Sequence, residues 1–150
     1  MATPSIELLT PSTPEQGMQL RAIFLEYAQS LDVDLDFQGF DEELASLPGD
    51  YAEPRGALCL AMVDGAVAGC CALRPLDASD YPNAAEMKRL YVRQAFRGLG
   101  LGRQLTEGIL DAARKAAYSC VLLDTLDDME AAYGDGTTPA DVLQVRQSIE

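Results

Sequence analysis

Apolar positions recur at two distinct spacings along the chain. Between Glu15 and Leu31, the residues Met18, Leu20, Ile23, Phe24, Tyr27 and Leu31 fall three or four apart, which predicts an amphipathic helix. The preceding TPSTPEQ supplies Thr and Pro as start signals. Ahead of it, SIELLT (5–10) reads as a short strand. Residues 32–50 carry Asp32, Asp34, Asp36, Asp41, Glu42, Glu43 and Asp50 without a base. They read as a loop and a short helix around 40–47, closed by Pro48-Gly49. GALCLAMV and AVAGCCALRPL are apolar runs joined by Asp64-Gly65, a strong hairpin signal. AEMKRLYV (85–92) is a further strand. Residues 101–117 form a helix with Leu101, Leu105, Ile109, Ala112 and Ala113 on one face. SCVLLDT (119–125) is a buried strand, and residues 126–133 start another helix. The order β-α-α-β-β-β-α-β-α predicts an α/β fold, a mixed sheet with helices on both faces. No internal repeat or low-complexity segment interrupts it.

Composition narrows the chemistry. At 150 residues the chain reads as one domain, 1–150. Its net charge of −13 argues against coating nucleic acid, whose phosphates need a basic footprint. No run of about 18 apolar residues is present, so no membrane span is expected. The opening MATPSIELLT lacks the basic start and apolar run of a signal peptide, and the expected location is the cytosol. The chain has no histidine, which removes Ser-His-Asp and Cys-His catalysis and disfavours a catalytic zinc. No metal is expected. Cys59, Cys70, Cys71 and Cys120 lie in apolar runs without a CxxC pair and read as buried, reduced thiols.

The segment Glu86–Leu105, EMKRLYVRQAFRGLGLGRQL, carries the chemistry. A strand ends near Val92, a basic turn follows, and Gly98, Gly100 and Gly102 open a helix. Glycine lets backbone approach a ligand closely, and the first helical turn has N–H groups without internal acceptors. With the helix dipole they suit a phosphate. Residues 86–103 hold five bases, Lys88, Arg89, Arg93, Arg97 and Arg103, against Glu86 alone. On an acidic molecule this is where an anion would go. The loop is neither the Rossmann fingerprint nor a Walker A loop, because the third glycine is misplaced and no GK[ST] follows.

The stretch Arg97-Gly98-Leu99-Gly100-Leu101-Gly102, with Met87–Val92 ahead and Gly102-Arg103-Gln104-Leu105 behind, resembles the acetyl-CoA loop of the GNAT superfamily of N-acetyltransferases. The element order from residue 5 to about 131 matches that family as well. The resemblance implies acetyl-CoA as co-substrate, its pyrophosphate cradled by backbone N–H groups around Leu99 to Arg103, with Arg97 helping. It implies that the backbone of Leu90 and Val92 pairs with the pantetheine arm, as an added strand pairs with a sheet edge. The implied reaction moves acetyl from the thioester to an amine, which must first lose a proton, since alkylammonium groups titrate at about 10.4. Glu86, eleven residues before Arg97, stands where some branches of the family place a general base. The same glutamate also reads as a solvated group at the start of a strand. The acidic stretch Glu26–Asp50 suits a cationic acceptor.

The tail departs from the family pattern. Tyr133 is the candidate proton donor to the leaving thiolate, but Gly134-Asp135-Gly136 follows it, where the family has Y-x-x-x-G-[F/Y]. Thr138-Pro139 and the spacing of Val142, Val145 and Ile149 predict a helix over 139–149. The closing C-terminal strands are therefore expected to be missing, with 134–150 an atypical tail. An open edge on the 119–125 strand would then call for a partner strand, so a homodimer is expected. The function read from the sequence is acetyl transfer from acetyl-CoA to a primary amine of a small molecule or protein. The competing reading is a catalytically impaired CoA-binding or interaction module of the same fold.

Overall fold

The computed structural model describes residues 3–30, 40–76 and 83–123, together with the backbone of 144–147. The elements are β1 (Ile6–Leu9), α1 (Pro14–Ser30), α2 (Phe40–Ser46), a 3₁₀ turn (Gly49–Tyr51), β2 (Ala57–Val63), β3 (Ala66–Leu76), β4 (Ala84–Val92), a second 3₁₀ turn (Gln94–Phe96), α3 (Leu101–Lys115), β5 (Cys120–Leu123) and β6 (Gln144–Gln147). The strands lie side by side in chain order in one sheet. β1 to β4 are antiparallel neighbours, whereas β4–β5 and β5–β6 are parallel. The mixed, mainly antiparallel sheet with helices on both faces is the architecture expected.

Local signals build the elements. α1 opens on a reciprocal cap: the Gln16 N–H donates to Thr13 Oγ1 at 3.1 Å, and Gln16 Oε1 accepts from the Ser12 and Thr13 N–H groups. Pro14 takes the first helical position, where its missing N–H costs nothing. The hairpin between β2 and β3 turns at Asp64 (φ 50°) and Gly65 (φ 85°), both left-handed as a type I′ turn needs.

The sheet is buried on both faces. α1 packs Leu20, Ile23, Phe24 and Tyr27 against Leu58, Leu60, Cys70 and Ala72. α3 packs Leu101, Leu105, Ile109 and Ala113 on the opposite side, against Ala61, Ala68, Cys71 and Leu73. β3 is covered twice, which explains why AVAGCCAL reads as a continuous apolar run and not as an alternation. Gly69 sits where β4 and α3 leave no room for a side chain. A Cβ there would lie 2.8 Å from the Tyr91 carbonyl oxygen and 3.0 Å from Leu105 Cδ1.

One irregularity shapes everything beyond the middle of β4. Cys70 pairs with Tyr91 but Ala72 pairs with Lys88, so β4 carries an extra residue, and Arg89 sits there at φ 62°. Strict alternation would send Arg89 into the α3 core beside Ala85 and Met87. The bulge gives that position to Leu90 and turns Arg89 to the other face. There its guanidinium is 2% exposed and forks onto Glu43 of α2, Nε to Oε2 at 2.9 Å and Nη2 to Oε1 at 2.7 Å. The Phe40 ring lies beneath it, 5.2 Å from the guanidinium carbon. Burial opposes the arginine charge, but Glu43 outweighs it and raises the guanidinium pKa.

The tail differs from the sequence expectation. Residues 144–147 are a strand parallel to β5, with Val145 opposite Val121, and not part of a helix over 139–149. The 142/145/149 spacing is a local preference. The N–H and C=O groups along β5 are an edge that only another strand can satisfy, and that demand overrides it. A closing strand therefore exists where none was expected. The edge that motivated a homodimer is occupied within the chain. Tyr133 and the helix expected over 126–133 lie outside the described residues.

Two stability outcomes are expected. Gly69→Ala should lower the unfolding free energy by about 1–3 kcal/mol through overpacking between Tyr91 and Leu105; an unchanged midpoint in chemical denaturation would refute the tight approach. Glu43→Ala leaves Arg89 buried and uncompensated and should cost about 3–5 kcal/mol, whereas Glu43→Leu with Arg89→Met should recover most of it. Denaturation showing the double variant no better than the single would contradict this account of the pair.

Candidate active site

The glycine turn follows directly from the end of β4. The Arg93 N–H returns to the Ala68 carbonyl at 2.8 Å, the short 3₁₀ turn carries the chain off the sheet, and Gly98 and Gly100 adopt φ of 92° and 79°. Side chains resist that conformation, so glycine is required. A Cβ on either residue would meet nothing within 4 Å, and the space above both stays open. Gly100 caps α3 without a side-chain hydrogen bond. Among the described residues, no backbone carbonyl accepts from the N–H groups of 98–100. These groups, the first turn of α3 and its dipole make a concave donor surface suited to a phosphate.

The residues predicted around this loop take different places. Leu101 is buried and anchors α3, while Leu99 stands exposed on the rim. The Gly102 carbonyl accepts from Thr106 Oγ1 at 2.8 Å within the first turns of the helix. Arg97 donates its Nε–H to the Val92 carbonyl at 3.0 Å and makes no ion pair among the described residues, so its terminal nitrogens remain for a ligand. Arg103 pairs with Glu107 at 3.1 Å, an exposed contact of small energy. Leu90 is buried against α3, and Val92 packs at the edge of the same core. β5 covers the flank of β4 only from Ala84 to Met87. Among the described residues, no strand pairs with that flank over 88–92.

The basic cluster seen in the sequence does not gather over the loop. The bulge sends Arg89 to Glu43. Arg93 folds onto Glu26 at 3.1 Å and donates to the Val67 carbonyl at 2.9 Å. The Tyr91 hydroxyl also donates to Glu26, at 2.8 Å, and burial together with that carboxylate raises the phenol pKa. Glu26 and Glu43 thus hold helices to the sheet and do not wait for an acceptor.

Glu86 lies on the α2 side of the sheet, 8% exposed, directly across from Arg74 of β3. Its Oε1 is 3.3 Å from Arg74 Nε. Arg74 opens onto a cavity of about 280 Å³, walled by α2 and the Gly49–Tyr51 turn, where Glu42, Glu43, Asp50 and Tyr51 contribute. The Tyr51 phenol is pushed far above its ordinary range, first by burial and then by Glu43, which makes it a poor proton donor. Sequence reading missed Arg74 and Tyr51. Arg74 is the lone charge closing an apolar run, a faint signal that only strand register turns into a neighbour of Glu86.

Cys70, Cys71 and Cys120 are buried, as expected, and Cys59 is half-buried. Burial pushes the Cys59 thiol up to about 11 and raises Cys70 and Cys71 too. None of the four cysteines is in a disulfide. Among the described residues, no cluster of acids and cysteines could hold a metal ion, and no helix is long and apolar enough to cross a membrane.

Comparison with known proteins agrees with this geometry. The model of the acetyltransferase (GNAT) family matches residues 19–134. An uncharacterized N-acetyltransferase of Schizosaccharomyces pombe is 36% identical over 130 residues, covering 86% of this chain and 78% of that protein. Among solved structures, a GNAT-family acetyltransferase from Staphylococcus aureus superposes with a TM-score of 0.69 at 19% identity, covering 92% of this chain and 88% of its own. A predicted acetyltransferase from Clostridium acetobutylicum, solved with acetyl-CoA, gives 0.63 at 12% identity, with 89% and 90% covered. The open glycine turn at the head of α3, the uncovered flank of β4 and these likenesses lead to one assignment: the chain belongs to the GNAT family of acetyltransferases.

Proposed function

We propose that this protein transfers acetyl from acetyl-CoA to a primary amine, with Glu86 as general base. The observation that carries the reading is the pairing of two features on β4. Its end leads into the open glycine turn, and its start holds Glu86 against Arg74, which lines a cavity. The pyrophosphate of CoA would lie over Gly98 to Gly102, against the N–H groups of the turn and the terminal nitrogens of Arg97, with Arg103 at the rim. The pantetheine arm would run along the uncovered flank of β4 at Leu90 and Val92. The Val92 carbonyl already accepts from Arg97, but a carbonyl has a second lone pair to offer.

The reaction then follows from charge and proton bookkeeping. Glu86 takes one proton from the acceptor's ammonium. The neutral amine attacks the thioester carbonyl, a C–N bond forms and the C–S bond breaks. The nitrogen releases its extra proton to water, and the departing thiolate takes up one proton and leaves as CoA-SH. Tyr133 is the proposed donor to that thiolate. Glu42 and Asp50, unlike Glu26 and Glu43, are not committed to holding a helix on the sheet. They favour an acceptor that carries positive charge.

Two outcomes are expected. Arg97→Glu and Gly100→Pro should each weaken CoA binding by at least about tenfold, the first by reversing charge and the second by removing an N–H and excluding the left-handed φ. Calorimetry that finds both affinities unchanged would remove the loop from the CoA site. Glu86→Gln should slow turnover by about 100-fold while leaving CoA affinity intact, because the amide keeps the shape and loses the basicity. A pH–rate profile that overlays the wild type would exclude Glu86 as the base.

A further inference from the structure

Among the residues lining the cavity Arg74 is the one cation, in company with Glu42, Glu43 and Asp50, and Glu86 lies just outside that lining, 3.3 Å from Arg74. Arg74 is held by charge alone. It lies 3.3 Å from Glu86 and 4.0 Å from Asp50, and donates no hydrogen bond among the described residues. Its Nε is buried and without a hydrogen-bond partner. The Asp50 contact is at the limit of an ion pair, and that side chain is 78% exposed, so it yields readily to a competitor. A guanidinium with its terminal donors unspent, set in a cavity wall, is matched by a planar carboxylate that accepts two parallel N–H bonds.

We propose that the acceptor is a free α-amino acid with a basic side chain, its carboxylate held by Arg74 and its α-amine presented to Glu86. The proposal rests on the acetyl-transfer reading above and names its substrate. Connectivity supports it. In an α-amino acid a single carbon joins the amine to the carboxylate, so a carboxylate on Arg74 brings the amine within reach of Glu86, the nearer of Arg74's two acidic neighbours at 3.3 Å against 4.0 Å for Asp50. A diamine has no group for Arg74 and no such guidance. Glu42 and Asp50 then face the remaining side chain, which favours a cationic one over an acidic one.

The test measures CoA-SH release from acetyl-CoA with L-arginine, L-argininamide, agmatine and L-glutamate. L-Arginine should exceed each of the others in kcat/KM by about tenfold or more, since a site built around a bidentate contact rejects analogues that lack it. Arg74→Gln should bring the arginine-to-argininamide ratio close to one, through KM, with CoA affinity by calorimetry unchanged. Wild-type protein that uses agmatine or argininamide as well as arginine, or an Arg74→Gln variant that keeps the ratio, would overturn the proposal. If none of the four releases thiol, calorimetry with CoA-loaded protein decides. Arginine binding about tenfold tighter than agmatine supports the proposal, and equal or absent binding overturns it. Failure to bind acetyl-CoA at all would strike the acetyl-transfer reading itself, and this proposal with it, so the two failures are distinguished.

Discussion

A single extra residue in β4 governs how this molecule is arranged. Without it, Arg89 would point into the α3 core, where a lone guanidinium is prohibitively costly. With it, Arg89 turns to the opposite face and closes a bidentate pair with Glu43 over the Phe40 ring. A buried ion pair is weak evidence of net stability, because desolvation offsets most of its attraction. Its value here is positional. α2 is a seven-residue helix with Phe40 as its one buried side chain, too little apolar surface to fix its place. The Arg89–Glu43 fork fixes it, and α2 is a wall of the cavity onto which Arg74 opens.

The sheet separates two tasks and β4 joins them. On one face, α3 packs its apolar stripe on β2, β3 and β4 and leaves its N-terminus open at the glycine turn. On the other, α1 and α2 frame the Glu86 side. Both faces are close-packed, so neither helix layer can shift without moving the strand between them. A ligand arm along the uncovered flank of β4 would touch neither core. It would run from the glycine turn toward the level of Glu86.

Much of this was legible in the sequence, and the failures share a cause. α1, the Asp64-Gly65 hairpin and α3 announce themselves through spacing and caps, which are local signals. The glycine turn is local too. The bulge is not: MKRLYV looks like ordinary alternation, and nothing in it marks Arg89 as left-handed. The same blindness merged five bases into one patch, although Arg89 and Arg93 are drawn to the far face by Glu43 and Glu26. Val142, Val145 and Ile149 satisfy helical spacing, whereas the demand that makes 144–147 a strand comes from β5, some twenty residues away. Arg74 gained meaning only through its register with Glu86.

These corrections sharpen the electrostatics of the site. A chain of net charge −13 is expected to repel a pyrophosphate, and a cluster of five bases looked like the remedy. The remedy is smaller. Arg97 and the oriented N–H groups of one turn remain, with Arg103 half-exposed beside them. Fixed dipoles at short range need no net charge, and at physiological ionic strength the field of distant surface acids is screened within about 8 Å. Acidity elsewhere is therefore compatible with an anion site at the head of α3. The acids on the opposite face are also fewer than the sequence suggests, since Glu26 and Glu43 are spent on arginines. Among the described residues, the charges that would meet a second substrate at the cavity are Glu42, Asp50 and Arg74, with Glu86 beside Arg74. That arrangement distinguishes ligands by where their charges sit, not by total charge.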